Sequence, residues 1–159
     1  MKRSWYAWIA VFIIAAVMIF TMPVTYKVAR TGDGLIVYDD ESMGTKPCTV
    51  TVTGKHYSYM SKSDYIDAEV SVNDAVIAES TLRFTYDEDI AVTQFDALGE
   101  YSGKIRLNTT AIRSVITVCY DWEKGEFTDD EAYKCTIYVP CTNEAEVNEL
   151  LGLYEWPEM

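Results

Sequence analysis

The sequence predicts a mainly β protein: an N-terminal transmembrane helix followed by an antiparallel β-sandwich or small barrel, with a short C-terminal helix. Three observations predict this fold. An apolar block without charge occupies residues 5–22, and nine short runs typical of strands follow it at intervals of roughly ten residues. A single capped helical pattern comes near the end of the chain. The middle of the chain has no helical period, so the sequence does not indicate an alternating α/β fold.

The N-terminal block has the length and the flanks of a signal-anchor. Residues 4–24 carry no charge, and roughly 20 residues at about 1.5 Å per residue cross a hydrocarbon core of about 30 Å. Lys2 and Arg3 precede the block, which favours a cytoplasmic N-terminus. We assign to the transmembrane segment the apolar residues Trp5, Trp8, Phe12 and Met22.

A cleaved secretory signal is the alternative for this block. Signal peptides usually have an apolar region of about 7–15 residues and end at a small-x-small cleavage site. Ala29 is the only small residue placed for the −1 position, and Lys27 is unsuited to the −3 position. The sequence therefore predicts a single-pass plasma-membrane protein with its C-terminal domain outside. Its predicted parts are 1–24 (cytoplasmic tip and helix), 25–33 (short stalk) and 34–159 (extracytoplasmic β-rich domain).

The nine strand-like runs are rich in Val, Ile, Thr, Tyr and Phe, and most of them alternate apolar and polar residues. They are GLIVY (34–38), CTVTV (48–52), DAEVSV (67–72), AVIA (75–78), TLRFTY (81–86), IAVTQF (90–95), KIRLN (104–108), VITVCYDW (115–122) and CTIYV (135–139). Between two of these runs, Asn73-Asp74 predicts a two-residue hairpin turn.

The C-terminal helical pattern begins with a capping box. Asn143 is the predicted cap, Glu146 is its partner at the third helical position, and Gly152 fits the position just after the helix. The apolar face consists of Val147, Leu150 and Leu151. We expect this helix to cover an open end of the β core.

The charge balance argues against nucleic acid as a partner. The chain has 13 Lys and Arg against 25 Asp and Glu, and setting aside Lys2 and Arg3 leaves 11 basic residues, a net charge of −14. Phosphate backbones require a basic surface. Three acidic triplets, which begin at Asp39, Asp87 and Asp129, lack the spacing of the helical calcium loop, and we interpret them as solvated turns.

The four cysteines predict disulfides in an exported domain. Alternation places Cys48 and Cys135 on apolar strand faces and Cys119 on a polar face, so we expect a Cys48–Cys135 bridge inside and a Cys119–Cys141 bridge outside. The alternative is that some of these cysteines stay free as small buried hydrophobes. The chain has no C-x-x-C motif and one histidine, His56, so no metal or cofactor site is predicted.

Tyrosine is the most distinctive residue type, with 12 in the chain. Tyr57, Tyr59 and Tyr65 cluster around a polar segment that predicts an exposed loop, and tyrosine suits binding surfaces as well as sheet faces. These three residues are the predicted contact patch.

Residues 54–72, GKHYSYMSKSDYIDAEVSV, resemble a segment of small uncharacterised membrane- or lipid-anchored proteins of Gram-positive bacteria. The matching positions are Gly54, Tyr57-Ser58, Asp64-Tyr65 and 69–72, whereas Ala68 stands where those proteins have glycine. The resemblance implies an extracytoplasmic β domain and no particular chemistry.

The chain contains neither G-x-S-x-G nor a phosphate-binding glycine loop, so no catalytic residue is predicted. The expected function is a non-catalytic interaction or accessory module with a protein partner at the outer membrane face. The alternative is a domain that binds or hydrolyses wall or surface polymers, and a third option is a calcium-stabilised surface domain.

Overall fold

The structure is a computed structural model that describes residues 2–60, 62, 64–77, 82–87, 90–97, 101–108 and 113–153. In these residues a helix stands at either end of a strand-rich region, as predicted. The elements are α1 (Lys2–Thr21), β1 (Val24–Tyr38), β2 (Thr45–Ser58), β3 (Tyr65–Val72), β4 (Ala75–Val76), β5 (Leu82–Asp87), β6 (Ile90–Ala97), β7 (Tyr101–Asn108), β8 (Ser114–Asp121), β9 (Glu126–Phe127), β10 (Lys134–Val139) and α2 (Glu144–Leu153), with 3-10 turns at Glu41–Met43 and Glu131–Tyr133.

The strands form one antiparallel sheet that curls until its two sides meet. Its order is β10-β1-β2-β3-β5-β6-β7-β8, and β10 pairs with β8 as well as with β1. The short strands β4 and β9 add only to β3 and β8. The mainly β class is thus confirmed. The arrangement is a barrel-like curled sheet, so the sandwich of two stacked sheets is not the architecture.

The inner face of the sheet holds the main core, because side chains alternate between the two faces of a strand. Each of the nine predicted runs overlaps a strand in the described residues, and the side chains of β8 and β10 that were predicted to face inward lie in the inner core. The fully buried inner side chains include Ile36, Ile66, Ile105, Leu107, Ile116 and Ile137. The predicted hairpin turn is confirmed, since Asn73 and Asp74 have φ angles of 49° and 63°.

A second apolar layer lies on the outer face, where α2 packs. It consists of Leu35, Val115, Cys141, Val147 and Leu150. The predicted helix therefore exists, but it covers the outside of the sheet instead of an open end. The Asn143 side chain accepts a hydrogen bond from the Glu146 N–H at 3.1 Å, and Glu146 accepts one from the Thr142 N–H at 2.7 Å. The helix continues through Gly152 to Leu153, so this glycine is an internal residue.

The N-terminal helix leads almost directly into the sheet. Proline disfavours helical backbone at the residue before it, and α1 ends at Thr21, two residues before Pro23. β1 then starts at Val24, so residues 25–33, predicted as a stalk, are part of the longest strand. No helix in the described part of the chain combines the length and the apolarity that a membrane span requires.

Candidate functional site

The register of β1, β2 and β3 gathers tyrosines at the end of the sheet next to α1. Val24 pairs with Ser58, and Thr25 pairs with Tyr57, which in turn pairs with Tyr65. Tyr59 follows β2 directly. We call Tyr57, Tyr59 and Tyr65 the tyrosine cluster. It lies within one strand position of the start of β1, so the three residues of the predicted contact patch are together, beside the junction with the helix.

The tyrosine rings form a stack. The Tyr57 and Tyr65 centroids are 4.7 Å apart with planes at 20°, and the Tyr59 and Tyr65 centroids are 5.8 Å apart with planes at 29°. The Lys62 ammonium lies 3.9 Å from the Tyr59 ring centroid, which is a cation–π distance. All three rings are half-buried. The stack therefore presents a rigid aromatic surface that loses little conformational entropy when a partner binds.

Asp64 holds the loop that carries the stack. Its Oδ1 accepts the Tyr59 N–H at 2.8 Å, and its Oδ2 lies 3.2 Å from Nε2 of His56. Burial alone would raise the pKa of Asp64. The hydrogen bonds from the Tyr59 N–H and the Ser58 side chain, together with His56, outweigh burial and lower this pKa. Sequence reasoning missed the His56–Asp64 pair, because it joins residues eight apart across the connection from β2 to β3.

Asp64→Asn is expected to weaken the folded state by about 1 kcal/mol at neutral pH, since a charged acceptor makes the stronger hydrogen bond. A lowered pKa contributes stability above the unfolded-state pKa, and this contribution disappears as pH falls through the folded-state value. The difference between wild type and variant should therefore be full at pH 7, begin to shrink at about pH 5, and vanish only when the pH has fallen below the lowered folded-state pKa of Asp64. Urea unfolding across pH measures it, with Asp129→Asn at an exposed turn as the control. An equal difference at low pH would contradict the prediction.

A shallow groove of about 360 Å³ adjoins the tyrosine cluster on the outer face of β2 and β3. It is lined by Thr53, Gly54, Lys55, Tyr57, Asp67 and Glu69. Lys55 pairs in register with Lys27 on one side and with Asp67 on the other. The groove thus carries charges of both signs along one strand row, and it offers hydrogen-bonding groups beside an aromatic wall.

The cysteines are free thiols in the structure and not the predicted disulfides. Alternation placed Cys48 and Cys135 correctly in the inner core, but no bond joins them. The Cys119–Cys141 pairing is wrong for a geometric reason. Cys119 is opposite Lys134 at the start of β10, and Cys141 lies beyond Val139 at its end. Five residues of strand separate these ends by about 17 Å, whereas a disulfide needs Cα atoms within about 7 Å.

Burial makes these thiols poor nucleophiles. It raises the pKa of Cys48 to about 12 and those of Cys135 and Cys141 to about 11, and it also raises that of Cys119. Because only the thiolate reacts, each unit by which the pKa of a thiol rises lowers its reactivity at neutral pH roughly tenfold. The environment of these four cysteines therefore disfavours a function in nucleophilic thiol chemistry.

We expect four reactive thiols in the unfolded protein and slow labelling in the folded one. Ellman's reagent at pH 8, with and without denaturant, measures both quantities on protein purified from its native compartment. Cys119 should react first among the four, since the other three are buried. Two or zero thiols after unfolding without reductant would show that disulfides form and would contradict the free-thiol state.

Two of the acidic triplets lie near Lys134 at the opposite end of the sheet. The Asp39 N–H donates to the Lys134 carbonyl at 3.0 Å, and the Lys134 ammonium lies 2.9 Å from Oδ2 of Asp39. Asp40 and Asp130 each cap a 3-10 turn through Oδ1. In the described residues, no group of three His, Cys, Asp or Glu side chains is placed to hold a metal ion. The third triplet lies partly outside the described residues, at 88 and 89.

Comparisons with known proteins identify no relative: no family model matches the chain, and no curated protein or solved structure is significantly similar to it. The resemblance of residues 54–72 to a segment of Gram-positive surface proteins therefore stays a prediction. The site must be interpreted from its geometry, which is that of a rigid aromatic stack beside a mixed-charge groove.

Proposed function

We propose that this protein is a membrane-attached, extracytoplasmic binding module without catalytic activity. In this proposal, α1 attaches the protein to the plasma membrane, and the tyrosine cluster with the adjoining groove contacts a protein partner close to the outer membrane face. The observation that carries the proposal is the stack of three half-buried tyrosines beside the junction with α1.

The apolar helix supports membrane attachment. The chain carries no charged side chain from Ser4 to Val24, a stretch that takes in nearly the whole of α1. The four residues assigned to it from the sequence are all more than half exposed: Trp5 at 68%, Trp8 at 73%, Phe12 at 77% and Met22 at 57%. Such a surface is unfavourable in water and favourable in lipid, and Lys2 and Arg3 support a cytoplasmic N-terminus.

The position of the tyrosine cluster supports a partner at the membrane surface. Only Met22 and Pro23 separate α1 from β1, so the cluster stays close to the end of the helix whatever angle the two adopt. Tyrosine is enriched at protein interfaces, where its ring gives area and its hydroxyl gives a hydrogen bond. A partner that is itself membrane-bound would meet this surface without leaving the bilayer.

The charges around the cluster indicate the chemistry of the partner. Lys27, Lys55 and Lys62 gather near the tyrosines although the domain as a whole is strongly acidic. Lys55 lies between Lys27 on one side and Asp67 on the other, so charges of both signs border the cluster. The partner surface is therefore expected to carry charges of both signs beside an apolar or planar group that packs on the stack.

Site-specific photocrosslinking in the native membrane tests the proposal. The full-length protein carries p-benzoylphenylalanine at Tyr59, and a control carries it at Glu126, which lies in β9 away from the cluster. We expect one stoichiometric protein adduct at position 59 and none at position 126. Alkaline extraction and protease accessibility of the same membranes test attachment and orientation separately.

A second set of variants separates contact from stability. Tyr59→Phe keeps the ring and removes the hydroxyl, whereas Tyr59→Ala removes the stacking partner of Tyr65. We expect the alanine variant to lose the partner while the folded domain persists, because truncation of an interface aromatic commonly costs 2 kcal/mol or more, roughly thirtyfold in affinity. Recovery of the protein alone, or with glycan attached, would overturn the interaction module.

The alternative is a domain that binds or hydrolyses surface polymers, and the His56–Asp64 pair is the observation that favours it. A histidine held by a carboxylate is the arrangement of a general base. The side chain of Ser58 bonds to Asp64, so this serine is not presented to His56 as a nucleophile. The variant His56→Gln distinguishes the binding module from the hydrolase. Loss of a polymer-degrading activity with crosslinking unchanged would favour the hydrolase.

A further inference from the structure

One edge of β1 has no neighbouring strand along much of its length. β1 pairs with β2 over residues 24–37, but it pairs with β10 only over residues 35–38. The Cys141 N–H, which donates to the Asp33 carbonyl at 3.3 Å, adds one contact just beyond β10. Among the described residues, no strand pairs with residues 24–32 on that side. We call residues 24–32 on this side the free edge.

Alternation along β1 identifies the backbone groups that the free edge presents. In an antiparallel sheet, successive residues direct their N–H and C=O groups to opposite neighbouring strands. The Asp33 carbonyl and the N–H of Asp39, directly after β1, both bond on the side of β10, so odd-numbered residues point to that side. The backbone groups of the free edge therefore belong to Thr25, Lys27, Ala29 and Thr31, all of which are exposed.

The free edge is long and regular enough to accept another strand. At about 3.3 Å per residue it extends about 30 Å, and it contains no proline. Its pairing with β2 is one residue against one, so no bulge turns it away. Native proteins usually shorten or cover such an edge, because its unpaired N–H and C=O groups are a template for a further strand.

Two cations determine which strand fits the free edge. Lys27 and Arg30 are its only charged side chains, and within the described part of the chain neither makes an ion pair. They lie on opposite faces of β1, because they are an odd number of residues apart. These charges, with a net charge of −12 on the chain, oppose pairing with a second copy. They favour a strand that places carboxylates opposite them.

An apolar row continues from the inner core along the free edge. Val24, Tyr26 and Val28 share the face of β1 on which the core residue Ile36 lies. Val28 packs against the core, whereas Val24 and Tyr26 are 55% and 54% exposed. A strand added at this edge would cover these side chains with its own alternate apolar residues.

We propose that the free edge binds an extended, acidic segment of the partner protein by strand addition. This inference rests on the proposed function for its membrane-bound partner, and it adds the form of the contact. Main-chain hydrogen bonds supply affinity, and carboxylates opposite Lys27 and Arg30 supply specificity. Thr25 of the free edge pairs with Tyr57 across β1 and β2, so one partner can contact both the free edge and the tyrosine cluster.

Photocrosslinking at two positions of the free edge tests the proposal on the full-length protein in its native membrane. p-Benzoylphenylalanine replaces Thr25 in one protein and Thr31 in another, and these positions are about 20 Å apart along the strand. Mass spectrometry then locates the crosslinked residues of the partner. We expect both positions to label one carboxylate-rich segment of a single protein, at sites about six residues apart.

Two substitutions of Ala29 separate the backbone contact from the side chain. Ala29→Pro removes an N–H that points to the free edge and leaves the pairing with β2 intact, and proline is tolerated on edge strands. Ala29→Val keeps the N–H and serves as the matched control. With the photoreactive residue at position 31, we expect about tenfold less adduct for the proline variant and no change for the valine variant. Circular dichroism checks that both variants fold, and the spacing of the labelled sites depends on neither.

The outcomes separate this inference from the proposed function. No adduct at position 31 would overturn strand addition, and an adduct at Tyr59 in the same membranes would leave the proposed function standing. Labelled sites in unrelated segments, equal adduct from the proline and valine variants, or an adduct with a second copy of this chain would each overturn strand addition too. One labelled segment from positions 25 and 31, with none at Tyr59, would support the free edge and exclude the tyrosine cluster from the interface.

Discussion

Gly54→Ala is expected to destabilise the folded domain by at least about 3 kcal/mol, the upper part of the range for overpacking. A Cβ atom at this position would overlap the carbonyl oxygen of Asp67 and lie 2.7 Å from the Cα of Ala68. Both obstacles are backbone atoms of the paired strand β3, so no change of rotamer relieves the clash. The strands β2 and β3 must separate locally, which breaks hydrogen bonds beside the groove.

Gly152→Ala is the matched control for this substitution. Gly152 lies inside α2, and a Cβ atom there meets nothing within 4 Å. Alanine at this position should be neutral or should stabilise the protein by up to about 1 kcal/mol through its higher helix propensity. Urea unfolding followed by circular dichroism measures both variants. A Gly54→Ala protein as stable as wild type would show that the close approach of β2 and β3 is wrong.

Gly54 also links the fold to the site. It lines the groove, and its register partner Ala68 is the position at which the chain departs from the pattern that residues 54–72 resemble. Two small residues facing each other let the strands approach closely at this point. The tyrosine cluster lies only three positions further along β2, so a Gly54→Ala variant that still folds should bind the partner less well.

The sequence predicted the strands well because their signal is local. Alternation in VITVCYDW and CTIYV depends only on which side chains point inward, and the inner core contains the alternate residues that it predicts: Ile116, Val118, Tyr120, Cys135, Ile137 and Val139. The Asn73-Asp74 turn and the Asn143–Glu146 cap are equally local, since both depend on side chains within four residues. Each of these predictions is confirmed.

The features that the sequence did not predict all depend on contacts between distant segments. Alternation predicts the face of β8 on which Cys119 lies, but it does not predict which residue of β10 lies opposite. The distance from Cys119 to Cys141 therefore could not be predicted from the sequence. Residues 25–33 lack a clear apolar period because both faces of that half of β1 are largely exposed, so they resembled a stalk. The stack of Tyr57 and Tyr65 required the register of β2 and β3, which no pattern within either strand specifies.

Ile137→Ala is the second substitution with a large expected effect, about 2–5 kcal/mol of destabilisation. Ile137 is completely buried in β10, the strand that pairs with both β1 and β8. Its register partners are Ile36 on one side and Ile116 on the other, and both are buried on the inner face. Removal of the central side chain leaves a cavity in the row that joins the two sides of the curled sheet.

Two conservative variants set the scale for this loss. Ile137→Val removes one methyl group and should cost about 0.5–1.5 kcal/mol. Val76→Ala, at a side chain that is 44% exposed, should change stability by no more than about 0.5 kcal/mol. The midpoint of urea unfolding gives all three values, and an unchanged dependence on urea concentration would show that only stability was altered.

Closure of the sheet through β10 also predicts that Ile137 is energetically coupled to residues of both neighbouring strands. Because Ile137 contacts neighbours on both sides, double-mutant cycles with Ile36→Ala and with Ile116→Ala should each give a coupling of about 0.5–3 kcal/mol. If β10 were an edge strand, one of the two couplings would be absent, since the missing neighbour would be far away. Coupling to both residues would therefore establish in solution that β10 joins β1 to β8. Additive effects in either cycle would contradict the pairing of β10 with that neighbouring strand.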